Sequence, residues 1–249
     1  MIDGVTVIDF HSHTGRMDNL YMRDDPELML RAMDAAGVDI ACVNNCFCPD
    51  GTLSNDINAR FVAQHPDRFI GIAYVSPLMP QRMVPELTRA IDKLGFKGIK
   101  VYSPSARIRL SEPAWYPIYE FADQRGLSML FHTDVEPYSQ PRFLADVAPR
   151  FPRAIFVAGH SGNTPEGRAE VIAAAQACPN VYAETCSTFR TPGAIEELVA
   201  GCGADRVLYG SDQPLMDPRA QIGKIITANL PDDAKRLILG GNACRLLKM

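Results

Sequence analysis

The sequence predicts a single α/β domain over residues 1–249, a (β/α)8 barrel of the TIM barrel type. Three observations carry this expectation. Short runs rich in Val, Ile, Phe and Leu, which mark strands buried on both faces, begin near Val5, Val38, Phe69, Lys97, Leu127, Ala154, Val181 and Val207. Their spacing of roughly 26 to 33 residues suits a strand plus one helix. A chain of 249 residues is also the usual length for eight such units. The competing open, doubly wound sheet lacks its customary signatures, because no Gly-x-Gly-x-x-Gly and no phosphate-loop Lys-Ser/Thr follows a strand.

The helical intervals carry their own start and stop signals. Asp25-Pro26-Glu27 supplies an N-cap, a proline at the first helical position and a first-turn acid, and Gly37 closes that helix. Leu28, Ala32 and Ala36 fall on one helical face there. Ser54 opens a segment running to about Gln64. Leu87, Ile91 and Leu94 form a stripe ended by Gly95, and Tyr119 to Gln124 lead to Gly126. Further helices are expected at Phe143–Ala148, Glu166–Ala177, Ala194–Ala200, Arg219–Ala228 and Asp232–Leu239. The longest irregular stretches, 14–24 and 102–113, would follow strands 1 and 4, on the face where barrels place their chemistry.

Composition narrows the partners. The charge sum of 25 basic and 29 acidic residues gives a net of −4 and contains no basic block, so no nucleic acid and no anionic membrane surface is expected. The N-terminus shows no positive segment followed by an apolar stretch, and no apolar run is long enough to span a bilayer, which points to a cytoplasmic protein. Seven cysteines without zinc-finger spacing read as reduced thiols. A small-molecule substrate is the default partner, and a homodimer the default association for such a barrel.

The polar residues at the strand ends concentrate the chemistry. Of five histidines, His11, His13, His132 and His160 stand at C-terminal strand ends, together with Lys100, Glu184 and Asp212. A barrel gathers those ends into one mouth. His11 and His13, two apart on a strand, point to one side and form a two-imidazole chelate. Two or three imidazoles with one carboxylate suit Zn2+ among common ions, with Fe2+, Mn2+ and Co2+ also compatible. Lys100, inside an apolar Gly-Ile-Lys-Val run, needs either a role or an ion-pair partner such as Glu184. Glu184 is expected to orient a ligand imidazole or to touch substrate. By strand parity Asp9 shares the face of His11 and is expected to hydrogen-bond within the barrel floor, and His65 reads as a surface or capping histidine. Arg107 and Arg109 after strand 4, and Arg190 after strand 7, offer guanidinium forks for a substrate carboxylate.

These motifs resemble the amidohydrolase superfamily, and within it the amidohydrolase-2 branch. Carrying the resemblance are Ile8-Asp9-Phe10-His11-Ser12-His13, Gly95-Phe96-Lys97-Gly98-Ile99-Lys100, Phe131-His132-Thr133, Gly159-His160-Ser161-Gly162, Asn180-Val181-Tyr182, Tyr209-Gly210-Ser211-Asp212 and Gly241-Asn242-Ala243-Cys244-Arg245-Leu246. They run in order through essentially the whole chain. The resemblance implies that His11, His13, His132 and Asp212 hold one divalent metal with a water, and that His160 stays unbound as an acid/base. A second pattern in the superfamily implies two metals bridged by a carboxylated Lys100.

Two reactions follow from the same residues. In the first expectation a metal-activated water attacks an amide, lactone or imine, with Asp212 and His160 managing its proton, and the arginines favour a carboxylate-bearing substrate. The alternative is a metal-dependent decarboxylase of an aromatic or enoic acid, in which His160 assists protonation of carbon. A metal-free barrel serving as a binding protein is the remaining class, and the full ligand set argues against it.

Overall fold

The computed structural model describes residues 4–20, 22–187 and 191–249. Eight parallel strands run in sequence order: β1 (Ile8–His13), β2 (Ile40–Asn44), β3 (Phe69–Tyr74), β4 (Gly98–Val101), β5 (Ser128–His132), β6 (Ile155–Gly159), β7 (Val181–Glu184) and β8 (Val207–Leu208). The seam closes beyond β8, where Phe10 N–H donates to Tyr209 O at 2.9 Å, Asp212 N–H to His11 O at 2.7 Å and His13 N–H to Gln213 O at 2.7 Å. The expected (β/α)8 barrel is therefore the observed architecture.

The helices α1 (Pro26–Ala36), α2 (Gly51–Val62), α3 (Pro80–Asp92), the short α4 (Ser103–Ala106), α5 (Tyr116–Arg125), α6 (Arg142–Val147), α7 (Pro165–Ala177), α8 (Ala194–Cys202), α9 (Pro218–Ile226), α10 (Asp232–Arg236) and α11 (Asn242–Leu247) fill the intervals. In α1 the Asp25 side chain accepts from Leu28 N–H and Gly37 closes the helix in the left-handed region, as its sequence predicts. Its buried face differs from the expected one: Met29, Leu30, Met33 and Ala36 pack inward while Leu28 is exposed. Larger side chains one position along offer more apolar area to the barrel. Helix α2 begins three residues before Ser54, because Asp50 accepts from Thr52 and Leu53 N–H. Ser54 instead donates its hydroxyl to Cys48 O at 3.0 Å. The predicted last helix continues past Leu239 through a π turn (Leu237–Gly241) into α11.

The core has two parts. One lies between strands and helices; the other fills the barrel with Ile8, Phe10, Cys42, Ile72, Leu130, Val157, Tyr182 and Leu208, reached by Ala243 and Leu247 of α11. Above this apolar plug β1 carries one extra residue: Asp9 pairs with Ala41, but Ser12 already pairs with Val43. The bulge switches side-chain parity, so Phe10 belongs to the plug while His11 and His13 turn into the mouth. It also corrects the face expected for Asp9, though not its expected hydrogen bonding. Its carboxylate does not join the imidazoles but pins the seam, accepting from His11 N–H at 3.0 Å, Ser12 Oγ at 2.9 Å, Ser211 N–H at 2.9 Å, Gln213 Nε2 at 3.0 Å and Ser211 Oγ.

Candidate functional site

The mouth is built around the His11 ring, which is fully buried. Its Nδ1 stands 3.0 Å from Glu184 Oε2, and its Nε2 stands 2.7 Å from Lys100 Nζ and 3.6 Å from Asp212 Oδ1. A carboxylate accepting from Nδ1–H keeps the ring proton on that nitrogen and leaves Nε2 as an acceptor, the usual arrangement for a metal-binding imidazole. His13 Nε2 meets the same Asp212 oxygen at 2.9 Å. Lys100 is buried as expected, but its contact is His11; among the described residues it forms no ion pair with Glu184, which is engaged by His11.

Two glycines permit this crowding. A side chain at Gly210 would overlap Glu184 Oε1 and come within 2.9 Å of His11 Cβ, and one at Gly159 would lie 3.2 Å from His11 Cε1. Six described non-glycine residues have positive φ, a region that L-residues seldom adopt, and they include the two assigned catalytic roles from sequence, His160 at 66° and Asp212 at 64°. The left-handed turn at the end of β6 lets His160 N–H donate to Glu184 Oε2 at 3.1 Å, while Ser161 Oγ donates to Glu184 O at 2.7 Å.

Burial sets the charge states. It drives the His11 imidazole well below its ordinary range, aided by Lys100, and lowers His160 likewise, so both rings are neutral at pH 7. Burial raises the Glu184 carboxyl. For Asp212 burial also acts upward, but the hydrogen bond from His13 and the surrounding imidazoles prevail and hold it below the usual carboxylate range.

The donors suit a divalent cation. An ion bound at about 2.0–2.2 Å from each donor separates neighbouring donors by about 3 to 3.5 Å, close to the 2.9 and 3.6 Å between Asp212 Oδ1 and the two imidazole Nε2 atoms. A second group of donors, from His11, His160, Cys186 and Asp212, lies within 4.8 Å of one another and leaves out His13. His132 reaches the mouth, with its ring 4.8 Å from that of His160, but its Nε2 faces Glu136 Oε1 at 3.5 Å and it stands outside this set.

Six rings form a circuit around the opening: His11, His13, Phe47, Tyr102, His132 and His160, with neighbouring centroids 4.8 to 6.4 Å apart. Burial pushes the Tyr102 hydroxyl up to about 12, keeping it a neutral donor. Arg107 and Arg109 are exposed beyond β4 and form no ion pair among the described residues. Arg190 lies outside the described residues. His65 is a surface histidine, 2.8 Å from Glu27 Oε1.

Sequence reasoning missed Cys186, whose Sγ is 3.2 Å from both His11 Nδ1 and His160 Nδ1. Its position two residues after Glu184 was a usable signal. It also missed Glu136, and Cys46, read from sequence as one of seven reduced thiols, has its Sγ 3.8 Å from His13 Nδ1. All seven cysteines are free.

A bulged first strand bearing two imidazoles, a histidine just after β6 and an aspartate four residues after β8, gathered in one barrel mouth, define a metal-dependent enzyme class. Residues 8–249 match the amidohydrolase family model, and the chain belongs to the amidohydrolase superfamily, in its amidohydrolase-2 branch. Over 78 residues, 31% of the chain, it is 32% identical to the 2-amino-3-carboxymuconate-6-semialdehyde decarboxylase of Dictyostelium discoideum, an alignment spanning only 22% of that protein. Similarity to the gamma-resorcylate decarboxylase of Polaromonas sp. strain JS666 is 22% identity over 90% of this chain and 83% of that one. The 5-carboxyvanillate decarboxylase of Novosphingobium aromaticivorans, crystallised with manganese and 4-hydroxy-3-methoxy-5-nitrobenzoic acid, shares the fold with a TM-score of 0.81 at 18% identity, over 99% of this chain and 97% of that one. No helix among the described residues is long and apolar enough to cross a membrane.

Proposed function

We propose that this protein is a metal-dependent decarboxylase of a small hydroxylated aromatic carboxylate. The observation that carries the reading is the pairing of an ion-binding corner, His11 Nε2 and His13 Nε2 on Asp212 Oδ1, with a buried neutral imidazole, His160, beside it. Hydrolysis, the first expectation from sequence, is less well supported, because the similar proteins above are decarboxylases.

In this reading His11, His13 and Asp212 hold the ion, with His132 completing the set by a turn of its ring away from Glu136. The bound ion supplies positive charge to orient and polarise the substrate carboxylate and ring oxygen. Zn2+ is the ion expected from the donors, and Mn2+, present in the similar structure, fits the same set. Asp212, held ionised, accepts and does not donate. His160, held neutral, enters as a base: its Nε2 takes the proton of the ring hydroxyl and returns it to the carbon bearing the carboxylate. The bond from that carbon to the carboxylate then breaks, its electron pair restores the aromatic ring, and carbon dioxide departs. The Phe47 and Tyr102 rings offer flat apolar walls for an aromatic substrate. Arg107 and Arg109 attract a second anionic group at the rim.

Metal-loaded protein tested against hydroxybenzoates, lactones and amides decides between the two reactions. Carbon dioxide equimolar with a decarboxylated phenol is the expected product. Acid release from a lactone or amide, with no carbon dioxide from any benzoate, would return the assignment to hydrolysis.

A further inference from the structure

On the Nδ1 side of the two imidazoles lies a thiol that the reaction scheme does not use. Cys186 is fully buried, and its Sγ is 3.2 Å from His160 Nδ1, 3.2 Å from His11 Nδ1 and 3.0 Å from Glu184 Oε2. Glu184 is an acceptor on every side, taking His11 Nδ1–H, the backbone N–H of His160 and the backbone N–H of Cys186. The thiol has one hydrogen, and the carboxylate is the strongest acceptor in its reach. With that hydrogen on Glu184, the sulfur faces His160 Nδ1 with lone pairs alone. The 3.2 Å contact is then a hydrogen bond only if Nδ1 carries the imidazole proton. A neutral imidazole has one such proton, so Nε2 is bare. His160 Nε2 has no hydrogen-bond partner among the described residues, and His160 retains 5% of its surface, so the free lone pair has an opening to the mouth.

We infer that Cys186 is a positioning residue that fixes His160 as the Nδ1–H tautomer, relaying the order set by Glu184 so that Nε2 is available to move the substrate proton. The catalytic part of this inference rests on the decarboxylase reading; the tautomer does not. The chain Glu184–Cys186–His160 thereby matches, through sulfur, what Glu184 does directly for His11. One carboxylate sets the tautomers of both rings, leaving one Nε2 for the ion and the other for the proton.

Nitrogen NMR of zinc-loaded, 15N-histidine-labelled protein tests this, with His160 assigned by comparison with His160→Asn. The expected spectrum gives His160 a protonated Nδ1 and an unprotonated Nε2. In Cys186→Ala the Nε2–H tautomer appears, and kcat falls about tenfold with KM and metal content unchanged. Cys186→Ser, which can both accept and donate, keeps the wild-type tautomer and most of kcat. An unprotonated His160 Nδ1 in the wild type overturns the inference whether or not a variant folds, as does an Ala variant with wild-type tautomer and kcat. If no benzoate is turned over, the decarboxylase reading fails while the wild-type spectrum still decides the tautomer.

Discussion

At the floor of the mouth His11, Lys100, Glu184 and Asp212 are buried, each held by partners on other strands, whereas at the rim Arg107 and Arg109 are exposed and held by none among the described residues. The floor is positioned by β-strands whose backbones are paired on both sides, so its geometry is a property of the barrel. The rim is positioned by loops, where a change of residue alters substrate preference without disturbing the fold. Loss of a floor residue should therefore remove the chemistry, and loss of a rim residue should tune its selectivity.

The sharpest test of this contrast is a pair of substitutions at the floor. Asp212→Asn should lose bound metal and turnover together. His160→Asn should keep its metal while turnover falls about 1000-fold, within the range for a general acid/base group. Elemental analysis beside initial rates separates the two, and equal metal loss in both variants would instead place His160 on an ion.

The seam offers a test through pH. Burial pushes the Asp9 carboxyl up to about 6 from an ordinary 3.8, with hydrogen bonds from Ser211, His11 N–H and Ser12 opposing it. Because the folded value is the higher one, the folded chain binds a proton between about pH 4 and 6 that the unfolded chain has released. This stabilisation is complete below the unfolded value and is lost as pH rises through the folded one. Relative to Asp9→Asn, the wild type should lose about 2 kcal/mol between pH 4 and pH 7. Urea unfolding of both proteins across that range checks it, and parallel stability curves would contradict it.

Glu184→Gln should weaken metal binding by about 10- to 100-fold, because the amide no longer enforces the His11 tautomer. A competitive chelator titration reads this directly, and unchanged affinity would detach Glu184 from the ion. The smallest effect is expected at the rim. Arg107→Glu and Arg109→Glu should each raise KM for an anionic substrate about fivefold, on the scale of an exposed ion pair, with kcat unchanged. A collapse of kcat there would erase the distinction between floor and rim.

The same division explains what the sequence disclosed. The strands were legible because burial on both faces demands continuous apolar runs, and His11, His13, His132, His160 and Asp212 stood out as polar residues ending such runs. The bulge in β1 was not legible, since Asp9 and His11 share parity until an extra residue breaks it. The buried face of α1 was misplaced because Leu28 and Ala32 satisfy the helical period as well as Met29 and Met33 do, and only packing chooses between them. Cys186 and Glu136 were missed for different reasons. Cys186 lies 3.2 Å from His160 across segments that only the closed barrel brings together, and Glu136, four residues after His132 and 3.5 Å from it, sits in an irregular loop that offers no period to read.

Carbon–carbon cleavage in this site depends on an ion at the floor, and one titration tests both. Metal-stripped protein is supplied with increasing Mn2+ or Zn2+ in the presence of a dihydroxybenzoate, and carbon dioxide release is followed against ion added per chain. The stripped protein should release none, and release should saturate at one equivalent. Undiminished release without metal would contradict that dependence, and release that requires two equivalents would replace the single-ion site with one bridged by carboxylated Lys100.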